Sequence, residues 1–131
     1  MTEIRAAIRA YLLTKHPRVF SEEAPDDAEY PYLVFELGTS FGDGESLEVF
    51  PVDVDGWDAP EDGDTTLLET LMAAVDGNGK AVNPTGLNKQ VLFSDNLMIV
   101  MYCENRLLVT DPETRIKRRK YIYQAKIFER S

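Results

Sequence analysis

The sequence predicts a single α+β domain over 1–131, with two α-helices packed on one face of a mixed or antiparallel β-sheet. Three observations predict it. Apolar residues recur at helical spacing in two windows, near 3–14 and 65–76. Runs over 32–37 and 47–55, and the part of 115–128 from Tyr121 on, are apolar at period two or nearly so. A length of 131 residues suits one hydrophobic core and is short for two.

In the first helix Ile4, Ala7, Ile8, Tyr11 and Leu12 share a face, Thr2 is placed to cap, and Pro17 ends the run. Val19-Phe20 reads as a short strand and 21–29 as an acidic surface loop. From Tyr32 to Leu37, Leu33, Phe35 and Leu37 face one way and Tyr32, Val34 and Glu36 the other. A flexible glycine-containing loop, 38–46, follows. In 47–55 the alternation slips near Pro51, which predicts an edge position or a bulge.

After a second acidic loop, 58–64, Thr66-Leu-Leu-Glu69 fits a capping box. Leu67, Leu68, Leu71, Met72 and Val75 form the apolar stripe of the second helix, which Gly77 and Gly79 end. An irregular stretch covers 80–90. Two apolar runs, 91–93 and 97–103, flank the turn-like Ser94-Asp-Asn96. Asp111-Pro-Glu113 makes the turn into a last strand with Tyr121, Tyr123, Ala125 and Ile127 on one face.

The chain is 44% hydrophobic and 28% charged, as globular proteins are. It holds no apolar run near the ~20 residues that cross a bilayer. The first residues lack the basic and apolar segments of a signal peptide, so an intracellular, soluble protein is expected. A single Cys excludes an internal disulfide, and one Cys with one His argues against a structural zinc site.

Charge is segregated along the chain. Residues 1–18 hold four basic side chains and one acidic; 19–79 hold seventeen carboxylates and no Lys or Arg; 80–131 hold ten basic and five acidic. The net −9 argues against nucleic acid and anionic membranes as partners. The asymmetry predicts a negative and a positive side.

No catalytic constellation, metal site or cofactor site is expected. Asp53, Asp55 and Asp58 begin a carboxylate series that resembles a calcium loop. It fails at Trp57, at Asp58 where glycine is needed, and at Asp64 where glutamate is needed. Cys103 lies inside an apolar run, remote from His16, and reads as a structural thiol. His16 itself suits a helix C-terminus. The glycines of 38–44 lack the Lys-Ser/Thr pair of a phosphate loop. Trp57 reads as a partly buried packing residue.

The basic run Arg115, Lys117, Arg118, Arg119 and Lys120 is the sharpest local feature. In a strand, Arg115, Lys117 and Arg119 face one way and Arg118 and Lys120 the other, so the run should extend past the helix-covered part of the sheet. It reads either as an edge that blocks aggregation or as a self-association patch. In the second case its counterpart is the acidic set Asp43, Glu45, Asp55, Asp58, Glu61, Asp62 and Asp64.

Arg18-Val-Phe20, Ala28-Glu-Tyr-Pro-Tyr-Leu-Val-Phe35, Val52-Asp-Val-Asp-Gly-Trp57, the helix from Leu67 to Val75 and Arg119-Lys-Tyr-Ile-Tyr-Gln-Ala-Lys-Ile-Phe128 come in a telling order. Together they resemble the tail-terminator (tail-completion, head-to-tail joining) proteins of long-tailed bacteriophages and prophages, over roughly residues 3–129. The 80–90 insert has no counterpart. The resemblance implies a non-enzymatic α+β protein without cofactor that assembles with itself into a ring, commonly a hexamer. Such a ring caps the tail tube, stops its polymerisation and joins it to a head-completion or connector protein. It also implies assembly in the host bacterial cytoplasm, a place in the virion tail or neck, and DNA passing through a lumen that the acidic 38–46 loop would face. Two other readings stand beside it: a different neck or baseplate adaptor, and an acidic module that mimics nucleic acid. A small hydrolase or lyase using paired carboxylates is a fourth, with no pocket signature behind it.

Overall fold

The computed structural model describes residues 2–113 and 115–130. Eight elements follow in order. They are α1 (Thr2–Leu13), β1 (Val19–Ser21), β2 (Tyr32–Leu37), β3 (Glu48–Asp58), α2 (Thr66–Asp76), β4 (Val91–Phe93), β5 (Leu97–Val109) and β6 (Lys117–Glu129). The six strands form one sheet in the order β1-β2-β3-β6-β5-β4. Only β1 and β2 run parallel; every other pairing is antiparallel. The α+β class and the two helices fall where the apolar periodicity puts them.

Both helices lie on one face. Ile4, Ile8 and Leu12 from α1 and Leu68, Leu71, Met72 and Val75 from α2 are buried against it. The sheet meets them with Leu33, Phe35, Val52, Val54, Ile99, Met101, Tyr123 and Ala125, which the strand register brings into neighbouring rows. α2 sits so close to β3 that a Cβ on Gly56 would stand 2.5 Å from Met72 Sδ. α1 touches both edge strands, β1 and β4, so the sheet curls around the helices. The face turned away from them is convex and carries no helix.

Several expectations need correction. Pro51 is neither at an edge nor in a bulge, because β3 is interior, between β2 and β6. Its carbonyl accepts from Gly38 N–H at 2.7 Å, so its missing donor faces the side where β2 has already ended. The ladder to β6 therefore loses nothing. The apparent slip arises because Val49 and Phe50, on opposite faces, are both buried. Phe41 bridges to Val49 and pairs with it through two backbone hydrogen bonds.

The capping box does not form. Thr66 is already helical, and Asp64 takes its N–H at 2.9 Å and its hydroxyl at 2.6 Å, which frees Glu69 for another partner. Thr2 is likewise helical from the start. β5 runs six residues beyond Cys103, past a register shift between Cys103 and Asn105, where side chains at Arg106 and Tyr121 meet. The 80–90 stretch is irregular but buries Leu87, whose N–H bonds Val75 O at 2.7 Å. Gly77, at φ 83°, ends α2 with its backbone against Gly86, where a Cβ would come within 2.1 Å.

Candidate functional site: a charged aromatic cleft on the open face

The basic run does not form an edge. β6 is an interior strand between β3 and β5, and its register sets the cations opposite the carboxylates of β3. Asp55 stands opposite Lys120, Trp57 opposite Arg118 and Asp58 opposite Lys117. The charges of the segregated segments thus meet inside one molecule.

Arg118 and Lys120 point to the convex face, as the alternation requires. Arg118 donates from Nε to Asp55 Oδ2 at 2.9 Å and adds a second bond to the same oxygen through Nη2. Its guanidinium lies 4.5 Å from the centre of the Trp57 ring. Lys120 pairs with Asp53 at 3.5 Å. On the helix side Arg119 bonds Glu69 Oε1 at 2.5 Å, the acid left free by the unmade capping box. Lys117 is half-buried on that side, and Arg115 is exposed with Glu113 at 2.9 Å.

The acidic set is scattered. Asp43 lies in the 38–46 loop, where it accepts the N–H groups of Glu45 and Ser46 at 2.9 and 2.8 Å and pairs with Lys126 at 3.4 Å. These bonds hold its carboxyl well below the usual range. They also give the loop a fixed internal structure. Glu45 reaches the same lysine at 3.7 Å. Asp58 faces the helices, 6% exposed, and accepts Ala59 N–H at 2.8 Å. Glu61 and Asp62 are exposed in the loop before α2, while Asp64, one residue before the helix N-cap Thr65, accepts from Thr66 and is held low by it. Asp53 and Asp55 therefore lie on one face and Asp58 on the other. Among the described residues no group of three or more His, Cys, Asp or Glu gathers to hold a metal.

A cleft of about 280 Å³ opens over β2, β3 and β6 on the convex face. Its walls include Glu22, Glu36, Asp53, Asp55, Arg118 and Lys120, with Tyr32 and Trp57 between them. Tyr32 is the hub of an aromatic cluster: Trp57 stacks at 6.2 Å, Tyr30 tilts at 5.2 Å and Phe20 meets it edge-on at 5.8 Å. Burial, with help from Tyr30, pushes the Tyr32 phenol up to about 12. Asp55 is 7% exposed; burial lifts its carboxyl above the usual range although Arg118 pulls the other way. Its Oδ1 is buried and has no hydrogen-bond partner.

Sequence reasoning placed Arg118, Lys120 and Asp55 in the contact sets but missed Tyr32, Glu36 and Glu22 as their neighbours. The signal was present in the period-two series Tyr32-Val34-Glu36 and Asp53-Asp55-Trp57, whose members share one face. Trp57 packs as expected, with a cation on its ring. His16 Nε2 donates to Pro31 O at 2.9 Å, tying the end of α1 to the start of β2. Cys103 is half-buried beside Asp76.

No protein-family model matches the sequence, and no curated protein matches it. Among solved structures the chain is similar to one in the virion of the native gene transfer agent (GTA) particle, with a TM-score of 0.66. The match covers 99% of this chain and 100% of that one at 12% identity. At that identity the likeness is one of fold.

Proposed function

We propose that the protein is a structural component of a phage-type virion and, within it, a tail terminator. On this reading copies of the chain close into a ring, a hexamer in the related proteins, that caps the tail tube and receives the head connector. The observation that carries the proposal is the end-to-end fold likeness to a virion chain, with neither chain left uncovered. The order of motifs from Arg18 to Phe128 points the same way. Four ionisable groups of the cleft are tied in pairs, Arg118 to Asp55 and Lys120 to Asp53, which suits a stiff contact surface better than proton transfer.

A ring built from identical contacts joins one patch to a different one on the neighbour. Arg115 at the end of the β5–β6 hairpin and Glu61 and Asp62 before α2 are the most outward members of the two charged sets. Lys126 pairs with both carboxylates of the 38–46 loop, Asp43 and Glu45, which leaves that loop with a net negative charge of one on the lumen side of the proposed ring.

Deleting the gene from the phage or prophage that carries it tests the role. Tails of uncontrolled length, with heads left unjoined, are the expected result, and mass spectrometry should find the protein in purified particles at ring stoichiometry. Tails of normal length with a defective baseplate would assign it to an adaptor instead. Absence from particles would end the virion reading.

A further inference from the structure

Asp55 is bonded to Arg118 through Oδ2 alone and is an incompletely satisfied charged group of the open face. It is more than nine-tenths buried, it lines the cleft, and its Oδ1 meets no donor. A buried acceptor left unpaired costs about 1–3 kcal/mol, and more when charged. Beside it Glu36 is exposed and makes no hydrogen bond or ion pair among the described residues. Of the four carboxylates in the walls, Glu22 pairs with Arg5 at 3.6 Å, Asp53 with Lys120 and Asp55 with Arg118, which leaves Glu36 as the negative charge in excess. The aromatic walls lower the local dielectric, which strengthens a bond to any donor that enters. The volume of about 280 Å³ falls just under the ~300–1,000 Å³ of small-molecule pockets and suits a single long side chain.

We infer that this cleft is a socket for the guanidinium or ammonium group of a basic side chain on a second copy of the chain, an inference that rests on the ring reading above. The chain carries the matching donors. Arg9 on α1 and Lys80 and Lys89 in the loop after α2 are exposed, and their side chains make no ion pair or hydrogen bond among the described residues. α1 lies on the helix-covered face and the loop runs beside the outer edge of β5, where Asn88 and Gln90 bond Cys103 and Met101. Donor and socket therefore occupy different surfaces of the molecule, as a head-to-tail contact demands. A chain of net charge −9 gains most from a contact that brings its spare cations onto its spare carboxylates.

Trp57 is the chain's single tryptophan and lines the socket, so its fluorescence reports occupancy directly. The test is a concentration series of the full chain followed in parallel by analytical ultracentrifugation and tryptophan emission. The expected result is an emission change that tracks association. Glu36→Lys, at an exposed position, should weaken association about tenfold or more, the scale of one charge-assisted hydrogen bond. Arg9→Glu, Lys80→Glu and Lys89→Glu together should do the same, and a chain carrying both sets should regain association.

Association that leaves Trp57 emission unchanged, or that ignores Glu36→Lys, overturns the socket while the ring stands. A chain that stays monomeric at every concentration also overturns it. Whether the ring reading falls too is then told separately by the protein's presence in purified particles.

Discussion

The Tyr123 hydroxyl donates to Asp76 Oδ1 at 2.7 Å, joining the middle of β6 to the last residue of α2 across 47 residues of sequence. Asp76 sits where the helix dipole disfavours an acid. Arg106 offsets this with two bonds to Oδ2, at 2.6 and 3.2 Å. The Tyr123 phenol, buried beside that carboxylate, is raised well above its usual value. Tyr123→Phe should therefore lower stability by about 1.5–3 kcal/mol, the range for a hydrogen bond to a charged group. Urea unfolding with an unchanged m-value checks it, and a loss of a few tenths would show that the bond carries no weight.

Leu71 is 7% exposed at the centre of the α2 stripe. Leu71→Ala should cost about 2–5 kcal/mol through lost burial and the cavity left behind. Denaturant midpoints measure this, and a change within error would place the stripe wrongly.

Gly77→Ala should be worse. The backbone there has φ 83° and ψ −160°, a region open almost only to glycine, and the new Cβ would meet Gly86 backbone atoms. We expect a loss above about 3 kcal/mol, the top of the range for backbone strain alone. A thermal melt close to wild type would contradict the close approach of the two glycines.

Cys103 should react slowly. Burial, then the Asp76 carboxylate, pushes its thiol up to about 11, so at pH 8 roughly one thiol in a thousand is ionised. Labelling with a disulfide reagent in native buffer should lag far behind labelling in denaturant. Equal rates would mean that the thiol lies open.

Carboxylate titrations should split in two directions. Asp43 and Asp64 are held low by N–H and hydroxyl donors, so their contribution to stability is complete above the unfolded value near ~3.9 and fades as pH falls through their folded values. Asp55 is raised, so it favours the folded state below ~3.9, and that contribution is lost as pH rises through its folded value. Side-chain carboxyl NMR should show Asp55 taking up its proton first and Asp43 last as the solution is acidified from neutrality. If Asp43 gains its proton before Asp55 does, the hydrogen-bond assignments are wrong.

The helices and the short strands β2 and β4 were legible in the sequence because each follows a local apolar period. Strand order was not, since it depends on pairings between distant segments. Pro51 illustrates the limit: proline signals a missing donor, but not which neighbour has already ended on that side. The basic run illustrates another. Arg118, Arg119 and Lys120 look like surplus charge when read along the chain, because their partners Asp55, Glu69 and Asp53 lie 50 or more places away. In the cleft, Asp53, Asp55 and Trp57, like Tyr32 and Glu36, announce themselves by alternation, whereas Glu22 arrives through the parallel β1–β2 pairing, which nothing local encodes.

The interior place of β6 has a consequence for the order of events during synthesis. It is the last of the eight elements to be made, yet β3 and β5 both pair with it, so the sheet stays in two halves until it emerges. Until then the stretch 19–79 has only like charges of its own, and their mutual repulsion works against compaction. The arrival of Arg118, Arg119 and Lys120 completes the ladder and in the same step pairs three of those carboxylates, Asp55, Glu69 and Asp53, so closing the sheet and relieving part of that repulsion are one event.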